Sequence, residues 1–185
     1  MSKKVALIGS GNAFFRDEGI GLYAAKYLKE NYTFEPELDI VDGGTLGFRL
    51  MPLLQEYDAV IIVNTASEDD ASVGHITLKS CDEFLDGSLV KKTANEVEIA
   101  EMLQICSLSE QMADTRLISI VPEDIITVEV GLSDALRSVW PVFIRSITQE
   151  LQKVGTETMQ KNSLFSLDEI LEQFANPSIE HGRGF

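Results

Sequence analysis

Two short runs, Val5-Ala6-Leu7-Ile8 and Ala59-Val60-Ile61-Ile62-Val63, are apolar at every position, and segments of helical periodicity lie between them. A strand that faces water on one side alternates apolar and polar residues. A strand apolar throughout is covered on both faces, which is the condition of a parallel sheet between layers of helices. A further strand is expected at residues 38–41, between the two runs. The alternation predicts parallel βαβ units.

The rest of the chain extends this pattern. Residues 18–31 place Ile20, Tyr23, Ala24, Tyr27 and Leu28 on one helical face. Residues 46–54 read as a short helix with Thr45 as N-cap, and residues 74–79 as an extended edge segment. Residues 93–106 read as a helix with Val97, Ala100, Leu103 and Ile105 apolar and Asn95 available as its N-cap. A strand at 116–121 stops at Pro122, and the β-branched run 125–130 reads as extended. Ser133 caps a helix to about residue 154 that Pro141 is expected to kink or delay. Ser166-Leu167-Asp168-Glu169 is a capping box before a last helix with Ile170, Leu171 and Phe174 on its apolar face. The expected organisation is one α/β domain over residues 1–154, with a helical extension and tail over 155–185 packed on it.

Bulk properties narrow the function. A net charge of −15 lacks the positive footprint that nucleic acid or an anionic membrane requires. No secretory signal follows Met1, no apolar run reaches the length of a membrane span, and Cys81 and Cys106 form no metal or redox motif. The expectation is a reduced, cytoplasmic protein.

Residues 9–21 read G-S-G-N-A-F-F-R-D-E-G-I-G, and Asp42-Gly43-Gly44-Thr45 follows. Both signatures stand where open α/β sheets build sites, outside the carboxyl ends of strands. A dinucleotide fingerprint requires glycine where Phe14 stands, and the phosphate-loop lysine is missing, so a nucleotide-binding domain is the weakest reading. Asp17 and Glu18 either satisfy free N–H groups of a first helical turn or reach a metal or a substrate peptide. Asp42 either makes an Asx turn or serves the site, and Asn64 and Asn95 have equally local alternatives. His75 and His181 are the only histidines, and no Ser-His-Asp, Cys-His or HExxH arrangement can be assembled.

Taken with the later V-P-E-D-I-I-T-V-E-V-G-L-S, these segments resemble the nickel–iron hydrogenase maturation endopeptidases over residues 4–150, in the same order and near the same spacing. The resemblance implies a three-layer α/β/α sandwich around a mostly parallel twisted sheet. It also implies removal of a C-terminal extension from the hydrogenase large-subunit precursor after nickel insertion. No permanent cofactor is implied, since the nickel is carried by the substrate and read by a glutamate, an aspartate and a histidine. The glutamate matches Glu18, but the other two positions fall on Asn64 and Asn95. An amide oxygen is a weaker, neutral donor compared with carboxylate or imidazole. Glu68, Asp69, Asp70 and His75 lie close enough in sequence to offer replacement ligands. Asp42, Gly43, Gly44 and Thr45 match the loop that helps choose the scissile bond, so Asp17, Glu18 and Asp42 are the catalytic candidates. The two asparagines also fit a non-catalytic relative that binds the precursor as an assembly chaperone or inspection factor.

Overall fold

A computed structural model describes residues 3–44, 47–87 and 93–177. The chain runs β1 (Val5–Ser10), a 3-10 turn (Arg16–Gly19), α1 (Ile20–Asn31), β2 (Tyr32–Glu35) and β3 (Asp39–Gly44). A second 3-10 turn (Gly47–Leu50) leads into α2 (Met51–Glu56), β4 (Ala59–Thr65), β5 (Ile76–Ser80), α3 (Cys81–Leu85) and α4 (Ala94–Cys106). β6 (Asp114–Ile120), α5 (Asp134–Lys153), β7 (Glu157–Gln160) and α6 (Leu167–Ala175) complete it.

The main sheet has the order β3-β1-β4-β6-β5. β1 pairs in parallel with β3 and β4, β4 pairs in parallel with β6, and β5 closes one edge antiparallel to β6. The period of two in each strand divides the core between the faces. Val5, Leu7, Ile61 and Val63 join α1, α5 and α6 on one side. Ala6, Ile8, Val60 and Ile62 join α2, α3 and α4 on the other. The result is a three-layer α/β/α sandwich around a mostly parallel sheet.

Two glycines of the first signature set how closely α1 lies on this sheet. A Cβ on Gly9 would come 2.5 Å from the Gly21 carbonyl oxygen, and one on Gly21 would come 2.2 Å from that of Val63. Neither backbone neighbour can swing aside, so a methyl group must lift the helix. Gly21→Ala is expected to cost about 2–3 kcal/mol by overpacking, read as a shift of the urea midpoint with the slope unchanged. An unchanged midpoint would show that the helix docks more loosely.

Several expectations need correction. Asn95 does not cap α4: Thr93 does, in a capping box with Glu96. The buried stripe of α4 is Ile99, Met102, Leu103 and Cys106, whereas Val97 and Ile105 are 41% and 48% exposed. That stripe is the i, i+3, i+4, i+7 set, and the helix carries apolar residues all round. Residues 125–130, expected to be extended, form no strand and only an isolated parallel bridge of Glu129 with Phe15. The Asp124 carboxylate accepts the N–H groups of Ile126 and Thr127, donors that a ladder would have used. Pro141 sits inside α5 without delaying its start, since the helix begins at Asp134. Thr45 and His181 lie outside the described residues.

The segment after α5 lies against the sandwich. β7 pairs with β2 in an antiparallel two-stranded ribbon that local pattern does not announce, since each strand has four residues. The buried Asn31 amide accepts from the Phe165 N–H at 2.7 Å and donates to its carbonyl at 3.0 Å. Leu171 joins the core beside α1, and Phe174 packs edge-on against Tyr23.

Burial holds the Cys106 thiol above its ordinary range, and burial and Asp82 do the same for Cys81. Little thiolate is therefore present at neutral pH. Native protein at pH 7 is expected to leave Cys106 unalkylated under iodoacetamide for as long as the fold persists, with both thiols reacting in denaturant. Mass spectrometry reads the result, and fast native labelling of Cys106 would contradict the packing.

Candidate active site

β1 lies between β3 and β4, so the chain leaves it on one side for β3 and returns on the other for β4. Crossovers diverge at that point and open a crevice at the carboxyl ends of the strands. The turn after β1 fills its mouth. The Gly11 N–H donates to the Gly44 carbonyl at 2.9 Å, and the Asn12 N–H donates to that of Glu18 at 3.2 Å. Gly11 has φ +143°, and a Cβ there would lie 2.0 Å from the Glu18 carbonyl oxygen. Arg16 holds φ +46°, an uncommon backbone state for a residue with a Cβ.

Asp17 is turned away from the crevice. It is fully buried, and its carboxylate accepts from the N–H groups of Glu123, Asp124 and Ser133 and from the Ser133 hydroxyl at 2.7–3.0 Å. Expected as a catalytic candidate, Asp17 has four donors on its oxygens and anchors the loop before α5. The same loop is tied by Arg16 to Asp124 at 3.3 Å, and by the Glu129 N–H donating to the Phe14 carbonyl. The Tyr23 hydroxyl adds a bridge, donating to the Ala13 carbonyl and accepting from the Gly131 N–H. Burial pushes its phenol up to about 12. The Thr127 hydroxyl and N–H, the Ile126 N–H and Arg16 hold the Asp124 carboxyl well below the carboxylate range.

Glu18 faces the crevice. It lines a cavity of about 480 Å³ with Asn12, Thr93, Asn95, Glu98 and Ile126, and is 9% exposed. Burial raises its carboxyl above the ordinary value, and repulsion from Glu96 adds to the rise. Both effects penalise the charged form. A cation brought into the cavity relieves them.

Asn95 shares this cavity, but its amide is engaged. Nδ2 donates to the Ser10 hydroxyl at 3.0 Å and to the Gly44 carbonyl at 3.5 Å, joining the ends of β1 and β3 to α4. Asn64 is fully buried at the end of β4, where Oδ1 accepts from the Ser119 hydroxyl at 2.5 Å. Its Nδ2 has no partner among the described residues. A buried orphan donor costs about 1–3 kcal/mol. Asp42 forms the Asx turn, accepting from the Gly44 N–H at 2.9 Å, and lines a second cavity with Gly11, Asn12 and Gly44. Gly43 is buried in β3 beside β1: a Cβ there would lie 2.8 Å from the Gly9 carbonyl oxygen.

The structure therefore brings Glu18, Asn95, Asp42 and Gly44 to one crevice, places Asn64 in the sheet and withdraws Asp17. Glu68 is paired with Lys79. No group of three His, Cys, Asp or Glu suited to a metal occurs among the described residues, so the replacement set after Asn64 is not assembled. Ser10, Thr93 and Glu96 were missed in the sequence. Thr-x-x-Glu is a readable capping box, but Ser10 gave no signal beyond its place between two glycines.

A family model described as hydrogenase maturation protease matches residues 22–150. The chain belongs to that family. Protein HydD of Wolinella succinogenes is 26% identical over 153 residues, covering 80% of this chain and 95% of that protein. The hydrogenase 2 maturation protease of Escherichia coli is 20% identical and covers 87% and 98%. Among solved structures, the hydrogenase maturating endopeptidase HybD from E. coli superposes with a TM-score of 0.78 at 20% identity, covering 85% and 98%. The Thermococcus kodakarensis HybD gives 0.62 at 23% identity, covering 80% and 98%. These likenesses establish that this family member has the HybD-type fold. No helix among its described residues is long and apolar enough to cross a membrane.

Proposed function

We propose that this family member is a cytoplasmic endopeptidase that removes the C-terminal extension of a nickel–iron hydrogenase large-subunit precursor after nickel insertion. The observation that carries the reading is the Glu18 carboxyl, itself largely buried, lining an open cavity at the mouth of the crevice with Glu96 near enough to repel it. The nickel arrives with the substrate, and no resident cofactor takes part. Glu18 contacts it, while Asn64 and Asn95 stand at the other two positions where the family reads the ion. Water attacks the scissile carbonyl, assisted by the nickel or by the Glu18 carboxylate. Asp42 and Gly44 border the path of the peptide and contribute to the choice of bond, and Gly43 between them keeps their turn close against β1. Thr45 follows in the same loop and is proposed to contact the peptide with them. The test is release of a discrete C-terminal peptide from nickel-loaded precursor; retained binding without release would assign the second reading.

That second reading is a binding factor that inspects the precursor without cutting it. The engaged Asn95 amide favours it, since Oδ1, the atom that would meet the ion, accepts from the Ser10 hydroxyl at 3.3 Å, while Nδ2 donates to Ser10 and Gly44. Asn64→Asp separates the two readings. It restores a carboxylate where the family has one, and a ligand-shell change of this kind is worth about 10–100-fold in metal affinity. A protease is expected to gain about 10-fold in nickel-dependent trimming, read by intact mass, whereas a binding factor gains none.

A further inference from the structure

We propose that the cavity walled by α6 is a specificity subsite that receives one apolar side chain of an extended precursor segment, an inference that rests on the precursor-processing reading above. The cavity measures about 510 Å³, within the range of ligand-holding pockets. Its wall is apolar, from Ala13, Phe14, Leu22, Phe174 and Pro177, and Asp42 is its one charged group among the described residues. It is continuous with the candidate site, because Asn12 lines both this cavity and that of Glu18. Thr93 and Ile125 continue the row into a third cavity of about 200 Å³ floored by Ser67 and Glu96. The row follows the carboxyl ends of the strands, the course of a peptide laid across the crevice.

Three further observations define the occupant. Among the described residues β3 pairs only with β1 in the main sheet, so its outer edge there can offer main-chain hydrogen bonds to an extended chain. Phe14 stands at the cavity rim with 64% of its surface exposed, and covering it returns apolar area to burial. Asp42, Glu18, Glu98, Glu96 and Glu123 line the row, with no lysine, arginine or histidine among the described lining residues. The segment therefore carries an apolar side chain and no acidic ones.

The wall is placed to select. Gln173, Phe174 and Pro177 come from beyond residue 150, where the family match ends. Phe174 is fixed edge-on against Tyr23 with ring centroids 5.1 Å apart, and the Tyr23 hydroxyl donates to the Ala13 carbonyl at 2.8 Å. α6 is thereby joined to the turn that carries Glu18, so its side chains set the depth of the subsite.

The test installs a photoreactive benzoyl-phenylalanine at position 173 of the full chain, irradiates it with nickel-loaded precursor and maps the crosslink by mass spectrometry. An apolar residue in the C-terminal region of the precursor is the expected partner. Crosslinks to the chain's own residues 178–185, or to a remote part of the precursor while binding persists, would overturn the subsite and leave the functional reading standing. Absence of any complex or trimming with the wild-type protein would overturn that reading and the subsite with it. A second arm changes the crosslinked precursor residue to Ala. Wild type is expected to lose about 10–100-fold in kcat/KM on that precursor. Gln173→Trp, which narrows the cavity, is expected to trim the Ala precursor in preference to the unaltered one. Identical rates for all four combinations would overturn the assignment.

Discussion

Asp17→Ala is expected to lower the stability of the chain by about 4 kcal/mol, and to reduce the melting temperature by about 10 °C for a protein of this size. The variant removes one carboxylate and leaves several donors behind. The N–H groups of Glu123, Asp124 and Ser133 all end on Asp17, as does the hydroxyl that caps α5. An unpaired buried donor carries the full cost of its lost hydration. Damage should concentrate in the loop leading to α5, which Asp17 fastens to the turn after β1. Hydrogen exchange is expected to quicken at residues 123–133 ahead of the sheet. Asp17→Asn keeps the shape and two acceptor lone pairs, so it should fall between wild type and Asp17→Ala. A melting temperature within about 2 °C of wild type for Asp17→Ala would show that the loop is held mainly by Arg16 and Tyr23.

Glu18→Gln is expected to do the reverse: little harm to the fold, and at least about 100-fold loss of nickel-dependent trimming. Burial and Glu96 raise the Glu18 carboxyl above its ordinary value of 4.5, so the folded state holds that proton more tightly than the unfolded chain does. Between 4.5 and the raised folded value, the native state binds more protons, and stability falls as pH rises. Above that window the cost of the charge is fully present; below 4.5 it is absent. Gln carries no such cost. The variant should be at least as stable as wild type at pH 7, and that advantage should disappear on acidification below 4.5. Urea titrations at the two pH values read this directly. A clear loss of stability at pH 7 would mean that the Glu18 charge is stabilised in the native state.

These residues show how far the sequence could be read. The apolar runs at β1 and β4 announced strands covered on both faces, and both are buried at every position. Ser166 and Glu169 announced the start of α6 because a capping box is local chemistry. Asp17 and Glu18 were indistinguishable as neighbouring acids. What separates them is Ser133, a partner 116 residues away from Asp17, and no spacing rule reports such a contact. The β2–β7 ribbon escaped for the same reason, since its two strands meet across most of the chain. The run at 125–130 misled because β-branched composition predicts extension only where the backbone donors are free, and Asp124 takes two of them. Asn64 and Asn95 could be located by resemblance, but their different circumstances, one with an orphan N–H and one fully tied, appear only in the fold.

The central claim is that the Glu18 cavity processes a nickel-loaded precursor. Its most direct test is the intact mass of the precursor, with and without nickel, after incubation with wild type and with Glu18→Gln. The account predicts loss of one discrete C-terminal peptide with wild type and nickel together, and unchanged mass in the other three incubations. Undiminished trimming by Glu18→Gln, or a precursor that binds wild type and keeps its full mass with nickel present, would contradict it.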